Sequence, residues 1–308
     1  MMLVFVATIL FFLCSQCTAF ASSNDGRSSP PILEQPDDDV VSRRALLWKA
    51  PLGAVGLYAY GRLAYNALSV RGIEYPIAHE ERVASTITKA AVAAAAASTT
   101  TTTRTLRVLE VGIGSDARLI RRGLYDDSIH QLSGIIDRLE MTGLDLQPPT
   151  DGKILNDATS KLKRVGSQEG MEIDFTTIKS SITQKTPFSD GYFDSIICCL
   201  TLCSVDDQTA ALQEIKRLLR PAGGTFGYLE HVAVEGEEHK FLEFQQTLLD
   251  PLQQLVADNC HLHRYTEQTM ASVFQSDQGK SRFLQKERFY VNSMWPVSCQ
   301  CCGVLQLV

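Results

Sequence analysis

Residues 105–308 are predicted to form an α/β domain: a mostly parallel sheet with helices on both faces. Three observations carry this. An apolar segment closes on an acid and runs into a glycine loop, Leu106-Arg107-Val108-Leu109-Glu110-Val111-Gly112-Ile113-Gly114-Ser115. Downstream of it, short apolar runs alternate with stretches of helical periodicity, the pattern of parallel strands joined by helical crossovers. One of those helical stretches ends at Arg220-Pro221-Ala222-Gly223-Gly224, where proline cannot continue a helix and glycine permits the reversal.

The elements follow in order. Residues 106–110 form the first strand, and 117–124 begin a helix that Ser115 or Asp116 can cap. Residues 140–146 are the second strand and end near Asp145, 171–177 the third, and 193–200 a strongly β-patterned fourth. Residues 206–219 form a helix with Ala211, Ile215, Leu218 and Leu219 on one face. A fifth strand spans 225–230. Residues 237–257 place Phe241, Phe244, Leu248, Leu249, Leu252 and Leu255 on one broad face of a helix kinked near Pro251. That face either packs in the core or walls an apolar acceptor pocket. Residues 289–291 and 303–308 supply two last strands as a hairpin, making seven.

Upstream of the domain the chain reads as delivery. Residues 1–19 have the length of a signal peptide, with an apolar stretch too short for a membrane span and a small-residue end at Thr18-Ala19. Ala19-Phe20-Ala21, followed by Ser22, Ser23, Ser28 and Ser29, resembles the two-part leaders of algae with secondary plastids. The endoplasmic reticulum is the other destination a signal peptide allows. Residues 20–45 are a polar, proline-bearing linker expected to be disordered. Ser42-Arg43-Arg44 then leads into 46–70, a membrane-associated segment or a second targeting signal. Residues 71–104 carry an alanine run and a threonine run and are expected to be a spacer, since alanine helices have little to bury.

Composition narrows function. The chain is 44% hydrophobic and 21% charged, with a net charge of −6 and a pI near 5.6. That argues against a nucleic-acid partner, which needs a basic face. The six histidines show no metal-ligand spacing. Of nine cysteines, Cys198, Cys199 and Cys203 sit in or just after an apolar strand, Cys260 stands alone, and Cys299, Cys301 and Cys302 cluster near the end. Neither a zinc spacing nor a regular disulfide framework emerges, so buried thiols and no metal are expected.

The glycine loop alone marks a nucleotide-type ligand, because glycine lets backbone approach it closely. The third dinucleotide glycine is replaced by Ala117 and a P-loop lysine is absent. Asp145, at the end of the second strand, is placed to accept ribose hydroxyls, although its distance from Gly114 exceeds the usual spacing of about 20. A longer first helix and loop account for the excess.

The later motifs choose the ligand. Thr186-Pro187-Phe188-Ser189-Asp190-Gly191-Tyr192-Phe193-Asp194 feeds the fourth strand, and Glu214-Ile215-Lys216-Arg217-Leu218-Leu219 precedes the proline–glycine stop. This series resembles the class I S-adenosylmethionine-dependent methyltransferases, with their Rossmann-like fold. Leu200-Thr201-Leu202-Cys203-Ser204-Val205, Tyr228-Leu229-Glu230-His231-Val232, Gln245-Gln246-Thr247-Leu248-Leu249-Asp250-Pro251 and Asp258-Asn259-Cys260-His261-Leu262 are similar to the methyltransferase-like 7, or thiol methyltransferase, group.

The resemblance implies S-adenosyl-L-methionine as cofactor. Glu110, Gly112 and Gly114 would line its amino-acid and ribose portions and Asp145 would hold the ribose. Leu200 and Thr201 would face the methyl group and the acceptor. It also implies a small apolar acceptor, a thiol or a quinone-like phenol, at a membrane surface. His231 is the candidate base, with a structural hydrogen-bonding histidine as the alternative; His261 and His263 are further candidates. Two departures stand out: Lys179-Ser180-Ser181-Ile182 holds no acid near the expected adenine site, and Ser115-Asp116 replaces a threonine–glycine pair. A catalytically silent cofactor-binding scaffold and an NAD(P)-dependent reductase are the competing readings.

Overall fold

The computed structural model describes Tyr58, Gly61 and residues 75–98, 104–274 and 281–308. The expected signal peptide, the polar linker and nearly all of the 46–70 segment lie outside the described residues. Among the described residues no helix is long and apolar enough to cross a membrane.

Seven strands, β1 (Thr105–Val111), β2 (Arg138–Asp145), β3 (Glu172–Lys179), β4 (Ser195–Cys199), β5 (Thr225–His231), β6 (Ser281–Tyr290) and β7 (Cys299–Leu307), form one sheet. Their order is β3-β2-β1-β4-β5-β7-β6. The first five run parallel, and β7 inserts antiparallel between β5 and β6. Alternation along β1 explains the layering. Leu106 and Val108 join the core under one face, while Leu109 and Val111 join the core under the other, as expected of a strand buried on both sides.

One face is covered by α1 (Ile77–Ala96), α2 (Arg118–Arg122), α3 (Asp126–Leu132) and α4 (Gly152–Gln168). The other is covered by α5 (Gln208–Leu218) and α7 (Thr266–Phe274). α6 (Lys240–Val256) follows β5.

The alanine run is not a spacer. It is the C-terminal half of α1, and Ala90, Ala91, Ala94 and Ala95 are buried against the sheet. Small side chains let the helix backbone come close enough to bond with it. Thr225 Oγ1 donates to the Ala90 carbonyl at 2.9 Å, and Arg220 Nη2 donates to that of Ala94 at 3.0 Å. The folded domain therefore begins some 28 residues before the expected boundary, at Ile77 rather than 105.

Other expectations shift as well. The first helix starts at Arg118 with Ala117 as its N-cap and no side-chain cap from Ser115 or Asp116. It breaks at Gly123, and α3 follows, so the long Gly114–Asp145 gap is two short helices and a loop. β6 begins eight residues before its predicted start. The predicted apolar face of α6 divides: Leu249 packs against the core, but Phe241, Phe244, Leu248 and Leu255 are 73%, 61%, 64% and 68% exposed, while Gln246 and Gln253 are buried. The reason lies in the Gln246 amide. Its Oε1 accepts from the Val234 N–H at 2.9 Å and its Nε2 donates to the Val232 carbonyl at 3.1 Å. A two-ended clamp on backbone that would otherwise be unpaired fixes the polar face inward.

Candidate active site

The strand order reverses between β1 and β4, and the expected cofactor residues gather at the carboxyl ends of these strands and of β2. Open α/β sheets bind ligands in the crevice at such a switch point. Gly112 takes φ +78 and Gly114 φ +69. The turn is pinned to β2 by the Gly112 N–H on the Leu144 carbonyl at 2.8 Å. Gly114 N–H donates to Asp145 Oδ2 at 2.9 Å, and Gln147 N–H donates to Asp145 Oδ1 at 2.8 Å. The unusual sequence gap thus closes onto the residue expected. Asp145 is oriented by two backbone donors, and each carboxylate oxygen keeps capacity for a further hydroxyl.

Glu110 ends β1 as a buried acid whose Oε2 accepts from the Tyr125 hydroxyl at 2.9 Å. Burial pushes its carboxyl up to about 7; the Tyr125 hydrogen bond opposes this, and Asp116 and Asp145 add to it. A folded-state value above the ordinary 4.5 means that the native protein holds the proton more tightly. Stability from this group is then present below about 4.5 and is lost as pH rises toward 7. The cofactor-free protein should lose on the order of 3 kcal/mol from this source across that window. Glu110→Gln, which retains an acceptor for Tyr125, should remove the loss. Melting temperatures of the two proteins from pH 5 to pH 8 check it: the variant gains on the parent as pH rises, and a constant difference refutes it.

The loop after β4 carries the next residues. Leu200 has φ 51 and its N–H donates to the Leu229 carbonyl at 2.9 Å. Thr201 Oγ1 faces the Cys199 and Val111 carbonyls at 3.1 and 3.3 Å and packs against Gly112. Its hydroxyl is thus committed to backbone, and it is the Leu200 position that the loop presents at the strand end. Glu230, fully buried at the end of β5, organises this loop. Its Oε1 accepts from the Thr201 and Leu202 N–H groups at 2.9 and 3.0 Å and from Cys198 Sγ at 3.4 Å.

His231 follows, with its ring enclosed. Nε2 lies 2.9 Å from Cys260 Sγ, and Nδ1 is buried without a hydrogen-bond partner. A base that takes a proton from an acceptor needs a nitrogen within reach of it, and neither ring nitrogen is open here. Cys203 completes a group of three, with the donor atoms of Cys203, His231 and Cys260 all within 4.8 Å of one another. The Cys203 hydrogen bond, then the His231 charge, hold the Cys260 thiol well below its ordinary value against burial. Burial pulls the His231 ring down, but Cys260 outweighs it and leaves the ring above the usual imidazole value. His261 instead faces Asp250 at 3.6 Å, and His263 Nε2 lies 3.3 Å from the Tyr265 hydroxyl.

Several participants escape a sequence reading. Tyr125 is the partner of Glu110, and nothing in its place 15 residues after the acid marks it as one. Tyr75 precedes α1, packs its ring against that of His79 at 4.6 Å with a 41° tilt, and lies under the Arg118 guanidinium at 5.0 Å. Burial raises its phenol above the ordinary range, with Arg118 opposing and Asp116 adding to the shift. α1 therefore brings an aromatic up to the motif that follows β1. Where the adenine acid is missing, Ser181 Oγ is turned to Thr183 Oγ1 at 2.8 Å and Ile182 is buried. That leaves backbone groups and apolar surface for the base.

An acidic, glycine-opened crevice at the β1–β4 reversal, in a sheet whose antiparallel β7 is inserted between β5 and the edge strand β6, defines a class I methyltransferase architecture. Comparison agrees. Residues 131–226 match the family model described as a methyltransferase domain. Human thiol S-methyltransferase TMT1A is 45% identical over 76 residues, 25% of this chain and 30% of that protein. Rat thiol S-methyltransferase TMT1B is 38% identical over 78 residues, 25% and 31% of the two. The matched stretch thus spans under a third of either relative. Among solved structures, YcgJ from Bacillus subtilis aligns over 74% of this chain and 97% of its own, at 16% identity and a TM-score of 0.42; the fold here is read from the strand order itself. The described domain therefore has the fold of class I methyltransferases, and residues 131–226 match the methyltransferase-domain model within it.

Glu110, Asp116 and Asp145 lie close enough at this crevice to feel one another's charge, Asp116 is paired with Arg118 at 3.2 Å, and no P-loop lysine accompanies the glycines.

Proposed function

We propose that this chain transfers a methyl group from S-adenosylmethionine to the thiol of a small apolar acceptor at a membrane surface. The observation that carries the reading is the tie between Gly114 and Asp145 in the β1–β4 crevice, which joins the glycine loop to a fixed ribose acceptor. Glu110 and the Gly112–Gly114 backbone would hold the amino-acid portion, and the Leu200 turn would border the reacting methyl. The cofactor supplies a methyl already activated on sulfonium, so the protein's work is alignment and exclusion of water. Arg118, which opens α2, lies over the ring of Tyr75 ahead of α1.

The thiol acceptor is supported by the stretch shared with proteins named for thiol methylation. The membrane is supported by the outward apolar face of α6, whose four large side chains have no cover from this chain among the described residues; such a stripe suits an interfacial helix.

Calorimetric titration of the full chain with S-adenosylhomocysteine should show a single tight site, and NADPH should not compete. Asp145→Ala should weaken that binding by about 100-fold or more, because two hydrogen bonds to a charged acceptor are lost, with a small fall in melting temperature. No binding of S-adenosylhomocysteine at millimolar concentration ends the proposal. Binding without turnover on alkyl thiols or quinols makes the chain a silent scaffold, and turnover on quinols alone moves the acceptor from thiol to phenol.

A further inference from the structure

We propose that Cys203, His231 and Cys260 together bind one thiophilic divalent cation of the Zn²⁺ type. The three come from different segments: the loop after β4, the last residue of β5, and the loop between α6 and α7. Their donor atoms lie within 4.8 Å of one another and all three residues are buried. A tetrahedral zinc with bonds of about 2.3 Å to sulfur and about 2.0 Å to nitrogen spaces its ligand atoms roughly 3.6–3.8 Å apart. The 2.9 Å contact between His231 and Cys260 would open slightly to reach that spacing, and the contacts to Cys203, all within 4.8 Å, would adjust around the ion.

The segments are held together without help from the three side chains. His261 N–H donates to the Cys203 carbonyl at 2.9 Å, and Asn259 Nδ2 donates to that of Ser204 at 3.0 Å. Asp250 of α6 accepts from the N–H groups of Leu262 and His263. Convergence of the two thiols and the imidazole is therefore built into the backbone, as a preorganised ligand set requires.

Charge and hydrogen bonding favour a cation over a bare ion pair. Two thiolates and a divalent ion are neutral together, which a buried site needs. A thiolate paired with a protonated imidazole would leave a charged Nδ1–H unanswered, since Nδ1 has no hydrogen-bond partner, and hydrogen bonds to charged groups are the costly ones to leave unmade. A neutral imidazole bound through Nε2 leaves only an uncharged N–H there. Among the described residues no fourth His, Cys or acid joins the group. Two cysteines and one histidine are ligand types that zinc takes.

The test uses the full chain, purified under reducing conditions from zinc-supplemented medium and desalted. Elemental analysis should find about one zinc per chain. After chelation, titration with Co²⁺ should produce an intense thiolate-to-cobalt charge-transfer band saturating near one equivalent. Cys203→Ser and Cys260→Ser should each lower zinc occupancy at least about tenfold. If a variant fails to fold by circular dichroism, the cobalt titration of the parent protein still decides. Substoichiometric zinc together with no cobalt–thiolate band overturns the site and leaves three packed side chains. S-adenosylhomocysteine binding, measured on the same chelated sample, reports separately on the methyltransferase reading.

Discussion

Gly112→Ala is expected to destabilise the domain by about 2–5 kcal/mol and to abolish measurable cofactor binding. Two costs add. Gly112 stands at φ +78, and a Cβ built there would fall 1.8 Å from Thr201 Oγ1 and 2.7 Å from both Thr201 Cβ and Cγ2. A left-handed conformation costs an L-residue roughly 1–2 kcal/mol, and forcing an atom into a packed contact typically costs a further 1–3 kcal/mol. Thr201 cannot simply swing away. Its N–H is held by Glu230 and its hydroxyl by the carbonyls of Val111 and Cys199, so relief means moving the whole loop after β4. For a domain of this size the loss corresponds to a fall of roughly 10 °C in melting temperature.

The double variant Gly112→Ala/Thr201→Gly separates the costs. Removing the Thr201 side chain should return part of the melting temperature, because the contact term is shared by the two positions and therefore non-additive. The conformational term at residue 112 should persist. Scanning calorimetry with and without S-adenosylhomocysteine checks both. A Gly112→Ala protein that melts within about 2 °C of the parent and is still stabilised by ligand contradicts the close packing described.

Legibility follows from how far apart in sequence the partners lie and from how much of an interaction a residue type announces. Glu110 to Gly114 was legible because a strand, an acid and two glycines form one local turn whose chemistry belongs to its own residues. Asp145 was legible in type but not in distance, since two short helices where one was expected stretch the gap, and a single hydrogen bond from Gly114 closes it. The alanine run was not legible. Alanine signals helix but not burial, and its value here depends on a sheet face with Gly227 opposite Ala90. α6 was read with its whole apolar face inward, because hydrophobic periodicity cannot anticipate a glutamine amide spanning two backbone groups. Cys260 was read as alone because its partners lie 29 and 57 residues away and meet only through the β4 loop and the end of β5. The same distance hid the work of Glu230, visible in sequence only as one acid in a strand.

That acid carries the second large effect. Glu230→Ala should cost about 4 kcal/mol, lower the melting temperature by roughly 10 °C, and weaken both cofactor binding and ordering of the loop after β4. Truncation removes the acceptor for the N–H groups of Thr201, Leu202 and Cys203 at once. Each buried donor left unpaired costs roughly 1–3 kcal/mol, partly offset because a buried carboxylate no longer has to be accommodated. Burial raises the Glu230 carboxyl while the Thr201 and Leu202 N–H groups pull it back, so its ionised form is held chiefly by the loop that it organises. Glu230→Gln retains one acceptor oxygen but turns an NH₂ toward donors, and its loss should fall between parent and alanine. Glu230 grips the loop from β5 while Gly112 gives it room against β1, so the two substitutions damage one element. Their combined loss should fall short of the sum of the single losses. Full additivity in denaturant melts would mean that the loop is not the shared element, and that Thr201 reaches Gly112 and Glu230 through independent structure.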